Sequence, residues 1–243
     1  MSKKTSLIFF YSCVALICIG IICVVNFVIV PGMRSGREGE KAFVNVGGKA
    51  EEKWLKIEKD LSATNQAGEK VKLSDLRGKV WVVAKFFAVC PHCAVRNGTE
   101  LRALYDAFKD HPDFHIVCVS VDPKEDKVEK LNDYAKALGA DVKNWWFLNA
   151  GDEAVTHEYL EKTLKFFGIR ERSDPAEIEA SGRFQHDMGL MLVDRDFTVI
   201  GKWPLADARS EQGAKLNPGL YENLKKEMVE KISKELAKST SEP

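Results

Sequence analysis

The tetrad Cys90-Pro91-His92-Cys93 constrains this chain more than any other feature, because of what stands on either side of it. Directly before it runs Val80-Trp81-Val82-Val83-Ala84-Lys85-Phe86-Phe87-Ala88, short, β-branched and aromatic as a buried strand requires. After it, Leu101, Leu104, Tyr105 and Phe108 recur at helical spacing. A strand-to-helix junction is where thiol reactivity is tuned. Proline suits the first helical turn, and the positive end of the helix dipole favours a thiolate at Cys90. Two soft sulfurs one turn apart can close a disulfide or chelate a thiophilic metal. No second cysteine pair exists to complete a structural zinc site, and no phosphate-cradling glycine loop is present.

The rest of the pattern alternates strands with helices. Residues 61–73 read as two short strands around Asn65-Gln66-Ala67-Gly68, and residues 114–121 as a second buried strand in which Cys118 is an inert core thiol. Val128, Leu131, Ala135 and Leu138 predict a helix, residues 145–148 a third strand, and Val155, Tyr159 and Phe167 a further helical pattern. Residues 188–193 and 197–200, joined at Asp194-Arg195-Asp196, predict a hairpin before a closing helix over 217–236. This order belongs to the α/β class: a thioredoxin-like fold, its mixed sheet carrying a late antiparallel hairpin and flanked by helices. The charged segment 170–183 reads as a surface loop, or as a flap that carries His186 toward the cysteines.

Ahead of this domain, 24 positions from 7 to 30 hold no charge and are interrupted only by Ser12, Gly20 and Asn26. A helix of that length reaches about 36 Å, enough to cross a hydrocarbon core of about 30 Å. The stretch is longer than a cleavable leader and ends in Val28-Ile29-Val30-Pro31, so it predicts an uncleaved transmembrane signal anchor. Lys3 and Lys4 on one side and Arg34, Arg37 and Lys41 on the other do not settle its orientation by charge. The amino terminus is placed inside because a short tail, 1–6, precedes the span and the large domain follows it. Cys13, Cys18 and Cys23 recur every five residues, which scatters them around the helix. The expected organisation is therefore tail 1–6, anchor 7–30, tether 31–55, domain 56–237 and a polar, disordered tail 238–243. Lys+Arg 36 offsets Asp+Glu 36, so the chain lacks the basic surplus of a nucleic-acid binder.

From Lys79 onward the chain resembles the Sco/SenC family, thioredoxin-fold proteins anchored by one amino-terminal helix that handle copper during assembly of cytochrome c oxidase. The residues that carry the resemblance are Val119-Ser120-Val121-Asp122-Pro123-Lys124-Glu125-Asp126 with Leu131, Tyr134, Ala135 and Leu138-Gly139-Ala140-Asp141, then Trp145-Trp146-Phe147-Leu148 and Gly151. Phe184-Gln185-His186-Asp187-Met188 stands where the family carries a histidine before its penultimate hairpin. The resemblance implies that Cys90, Cys93 and His186 bind copper as Cu(I), with Cu(II) as a second oxidation state. It implies a copper-site subunit of a cytochrome oxidase, or another thiol protein, as partner. The family's cysteines are usually three residues apart, whereas here only Pro91 and His92 intervene, a spacing similar to that of DsbA-type oxidoreductases. The alternative is therefore an extracytoplasmic thiol–disulfide oxidoreductase without a metal role, in which Cys90 and Cys93 are the redox-active pair. A docking protein with a merely stabilising disulfide is the third reading. An exposed reactive pair behind a signal anchor, without an Arg-rich leader, predicts a bacterial cytoplasmic membrane with the domain on its outer side.

Overall fold

Every residue from Val80 to Phe86 is buried, a pattern that only an interior strand covered on both faces can satisfy. The computed structural model describes residues 55–88, 91–166 and 168–238, with backbone alone over 91–96. The anchor read over 7–30, its three cysteines and the tether lie outside the described residues, apart from Leu55. Among the described residues no helix is long and apolar enough to cross a membrane.

In chain order the strands are β1 (Leu55–Lys56), β2 (Ser62–Thr64), β3 (Lys70–Lys72), β4 (Val80–Phe86), β5 (Phe114–Ser120), β6 (Trp145–Leu148), β7 (Arg170–Glu171), β8 (Phe184–Gln185), β9 (Leu190–Val193) and β10 (Thr198–Trp203). The α-helices are α1 (Pro91–Phe108), α2 (Val128–Leu138), α3 (Glu153–Glu158), α4 (Pro175–Ser181), α5 (Leu205–Arg209), α6 (Glu211–Leu216) and α7 (Leu220–Leu236). Six strands form the main sheet in the order β1-β10-β9-β4-β5-β6. β4, β5 and β6 run parallel, as crossover helices demand, while β9 joins β4 antiparallel with Ala84 opposite Leu190. This is the mixed sheet with a late antiparallel hairpin that the alternating pattern predicts.

Alternation along the strands divides the core. On one face Phe86 meets Phe147 edge-on at 5.1 Å and stacks on Tyr134 at 5.5 Å, and Tyr105 of α1 packs on Trp145 at 5.0 Å. On the other face Trp81, Val83, Val117, Val119, Leu148, Met191 and Val193 form one cluster with Leu160, Leu164, Phe166 and Phe184. Cys118 is fully buried, accepts a hydrogen bond from Trp145 Nε1 at 3.4 Å, and its thiol is pushed up to about 12 by burial, so it is inert.

Several boundaries move. The helical pattern at Val155 begins with α3 but continues as a π-type turn over Tyr159–Thr163. The closing helix starts at Leu220, after the short α5 and α6 that no long periodic pattern announces. Residues 170–185 are not simply a surface loop: β7 pairs with β8 around α4, with Arg170 opposite Gln185.

Candidate functional site

β4 ends at Phe86 and α1 opens at Pro91, so Phe87 and Ala88 lead directly into the tetrad. Cys90 lies outside the described residues, and Cys93 stands in the first turn of α1 in a stretch where backbone alone is described. The turn entering the tetrad is held from below. The Ala88 N–H donates to both carboxylate oxygens of Asp126 at 3.1 Å, and Ser120 Oγ donates to Asp126 Oδ2 at 2.5 Å. Asn149 Nδ2 donates to the carbonyls of Pro123 and Asp126 at 2.9 and 2.7 Å, closing the loop. Burial pushes the Asp126 carboxyl up to about 6, against the opposing hydrogen bonds from Ser120 and Ala88. The sequence marks this Ser-to-Asp block without revealing that Asp126 fastens the cysteine-bearing turn, because its acceptor role is realised 38 residues away in the chain.

His186 follows β8 and is half-buried. Its ring meets Phe87 edge-on, with centroids 5.6 Å apart and planes at 70°, so the fold brings this imidazole against the residue three positions before Cys90. Nδ1 lies 2.8 Å from the carbonyl oxygen of Asp187. A carbonyl only accepts, so Nδ1 carries the proton and the neutral ring has its lone pair at Nε2. Burial depresses the imidazole to about 4; the Asp187 carbonyl and carboxylate oppose the shift, while Lys85 and Arg172 add to it. The ring is therefore neutral at pH 7, the form in which imidazole ligates a metal. Among the described residues no group of three His, Cys, Asp or Glu side chains could hold a metal ion.

The segment over 170–185 presses on the same place. Arg183 Nη2 donates to Asp122 Oδ1 at 2.8 Å and also reaches Glu153, and its guanidinium lies over the Phe184 ring at 4.4 Å. Arg172 Nη1 donates to the carbonyl of Gly182 at 2.9 Å and to that of Phe184. Phe184 in turn meets His157 edge-on at 4.8 Å. Gly182 adopts φ +78° and lies so close to Phe87 that a Cβ there would stand 1.9 Å from Phe87 Cε2. Arg172 and Arg183 are thus spent on carbonyls and carboxylates, while Arg170, Glu171, Asp174, Glu177 and Glu179 stay exposed.

Lys85, which the pattern puts inside a buried strand, is a charged group within the sheet. Lys85 of β4 has a fully buried side chain and sits 3.3 Å from Asp187 Oδ2, which Lys202 of β10 also approaches at 3.3 Å. The partner that makes Lys85 tolerable lies 102 residues later in the chain.

Comparison with known proteins places these observations. A family model described as SCO1/SenC matches residues 49–218. The chain is 29% identical over 137 residues to a SCO1 protein homolog of Bacillus subtilis (strain 168), covering 56% of this chain and 67% of that protein. Its fold is similar to that of a SCO1/SenC family lipoprotein from Bacillus anthracis str. Ames, with TM-score 0.58 and 22% identity over 74% of this chain and 98% of that one. It is similar also to Arabidopsis thaliana ScoI with copper bound, with TM-score 0.53 and 18% identity over 72% of this chain and 99% of that one. A match over more than two thirds of its length, together with a sheet built as the resemblance implies, decides the matter: the chain belongs to the SCO1/SenC family.

Proposed function

We propose that this is a membrane-tethered copper-handling protein that binds Cu(I) through Cys90, Cys93 and His186 and passes it to the copper-site subunit of a cytochrome oxidase. The observation that carries the reading is the position of the His186 ring: neutral, bonded through Nδ1 to a carbonyl, and packed on Phe87 at the entrance to the cysteine turn. Two thiolates and one neutral imidazole form a donor set suited to a soft ion of low coordination number. The cysteines hold the cargo as thiolates, His186 completes the set from the opposite loop, and incoming partner thiolates displace them by ligand exchange. The copper bound to Arabidopsis ScoI, and the description of the Sco family as cytochrome c oxidase assembly proteins, support the same reading. Residues 7–30 anchor the chain in a bacterial cytoplasmic membrane, and residues 31–55 tether the domain on the extracytoplasmic side.

The Cys-Pro-His-Cys spacing supports a second role at the same pair. In thiol exchange the Cys90 thiolate attacks a partner disulfide and expels one partner thiolate, Cys93 then displaces the second from the mixed disulfide, and the partner is reduced while Cys90 and Cys93 are left as a disulfide. The cysteines of an oxidase copper site must be reduced before metal enters, so one protein can serve both steps.

Titration of the reduced full chain with Cu(I) against a chelating competitor separates the readings. His186→Ala is expected to weaken Cu(I) binding about tenfold to a hundredfold while leaving the reduction potential of the cysteine pair nearly unchanged. Equal, weak binding by both proteins would leave a plain thiol–disulfide exchanger.

A further inference from the structure

The face of β4 that carries Trp81 and Val83 is apolar, and a valine or phenylalanine at position 85 would suit it. A lysine stands there instead, wholly enclosed. Burying an ammonium group is tolerated only against a well-placed countercharge. Here the countercharge is Asp187, whose carboxylate is engaged on three sides: Oδ2 by Lys85 and Lys202 at 3.3 Å each, and Oδ1 by the Gly189 N–H at 3.0 Å. Asp187 precedes β9, and its two lysines come from β4 and β10, the strands that flank β9 on either side. Both ammonium groups also lie over the Phe166 ring, at 5.1 and 5.3 Å. The carboxylate is thus stapled to two strands of the main sheet. The backbone carbonyl of the same residue accepts the Nδ1 proton of His186 at 2.8 Å.

We propose that Lys85 and Lys202 are positioning residues for His186: acting through Asp187, they fix the carbonyl that holds the imidazole, so that its lone pair is set at Nε2 before a metal arrives. A histidine on an unbraced corner would exchange tautomers and turn about its side-chain bonds, and part of its binding energy would go into ordering it. With the corner braced by strands on both sides, the third ligand is present in one orientation. The functional meaning of this brace rests on the copper reading above; the orientation of the ring does not, and it is measurable without metal.

The test uses the reduced, metal-free full chain with ring nitrogens labelled with ¹⁵N. The unsubstituted protein is expected to show His186 as a single neutral tautomer protonated at Nδ1. In the double variant Lys85→Met/Asp187→Ser, which removes the enclosed ammonium together with its countercharge and leaves Lys202 at the edge, the ring should populate both tautomers, and Cu(I) affinity measured against bicinchoninate should fall about tenfold. Lys202→Arg, which keeps the charge at the rim, should retain both properties. If the double variant does not fold, Lys202→Met replaces it, since the Lys85–Asp187 pair survives in that protein, and a smaller shift in the same direction is expected. A folded variant whose His186 spectrum is unchanged would overturn the proposal, even if its copper affinity fell. A shifted tautomer in a chain that binds no Cu(I) before substitution would uphold the brace and overturn the copper reading instead.

Discussion

Gly182→Ala is expected to destabilise the protein by about 4 kcal/mol, the sum of two effects of about 1–3 kcal/mol each. The first is backbone strain, because φ +78° with ψ 171° is open to glycine and strongly disfavoured for any side chain. The second is collision: the new Cβ would stand 1.9 Å from Phe87 Cε2 and 2.6 Å from its Cζ, and Phe87 is buried. Gly219→Ala is the milder reference, since Gly219 is in the left-handed α region at φ +86° and ψ −7° and, among the described residues, nothing lies within 4 Å of its Cβ direction, and it should cost only about 1–2 kcal/mol. Urea unfolding of both variants checks this; equal midpoints would mean that the 170–185 segment yields easily and does not clamp Phe87. Because Phe87 carries the edge of the His186 ring, the Gly182 variant should also disturb the His186 ring-nitrogen signals while the Gly219 variant does not.

Below pH 6.5 the substitution His115→Phe is expected to make the protein more resistant to acid than its parent. His115 lies in β5 opposite Trp81, is 1% exposed, and among the described residues neither ring nitrogen has a hydrogen-bond partner. Burial depresses its imidazole to about 3, with Lys79 adding to the effect, so the folded protein keeps this ring neutral. The unfolded chain takes up a proton near pH 6.5 and the folded one only near pH 3, so the unfolded state gains as pH falls across that window. Between pH 6.5 and 4.5 the loss attributable to His115 is about 2 kcal/mol. Asp126 works in the opposite sense: its carboxyl is raised to about 6, so the folded state binds that proton first and is favoured as pH falls from there toward the unfolded value. The difference between parent and variant cancels Asp126 and isolates His115. Parallel stability–pH curves for the two would show that the ring is hydrated or protonated in the fold.

The architecture is legible wherever burial imposes a period. The apolar run before the tetrad, the runs containing Ile116 and Phe147, and the hairpin around Asp194 all appear as strands, since a strand covered on both faces has no alternative to continuous apolar sequence. What escapes is short or charged. β1 has two residues, and its pairing of Leu55 with Val199 leaves no pattern to read. Arg172 and Arg183 look like solvent-facing charges, because carbonyl acceptors and a carboxylate such as Asp122 become their partners only once the chain has folded. Lys85 is the sharpest case, a residue that alternation assigns to the core and chemistry assigns to the surface, resolved by a carboxylate on another loop. Within the candidate site, the tetrad and His186 stand out as candidates from residue type and family resemblance. The supports beneath them, Asp126 under Ala88 and Asp187 behind the imidazole, are tertiary and are not.

Copper K-edge X-ray absorption of the reduced full chain, loaded with one equivalent of Cu(I), probes the ligand set itself. Two sulfurs and one nitrogen should surround the ion, and the nitrogen contribution should vanish in His186→Ala. A shell of sulfur alone, identical in both proteins, would contradict the assignment of His186 as the third ligand.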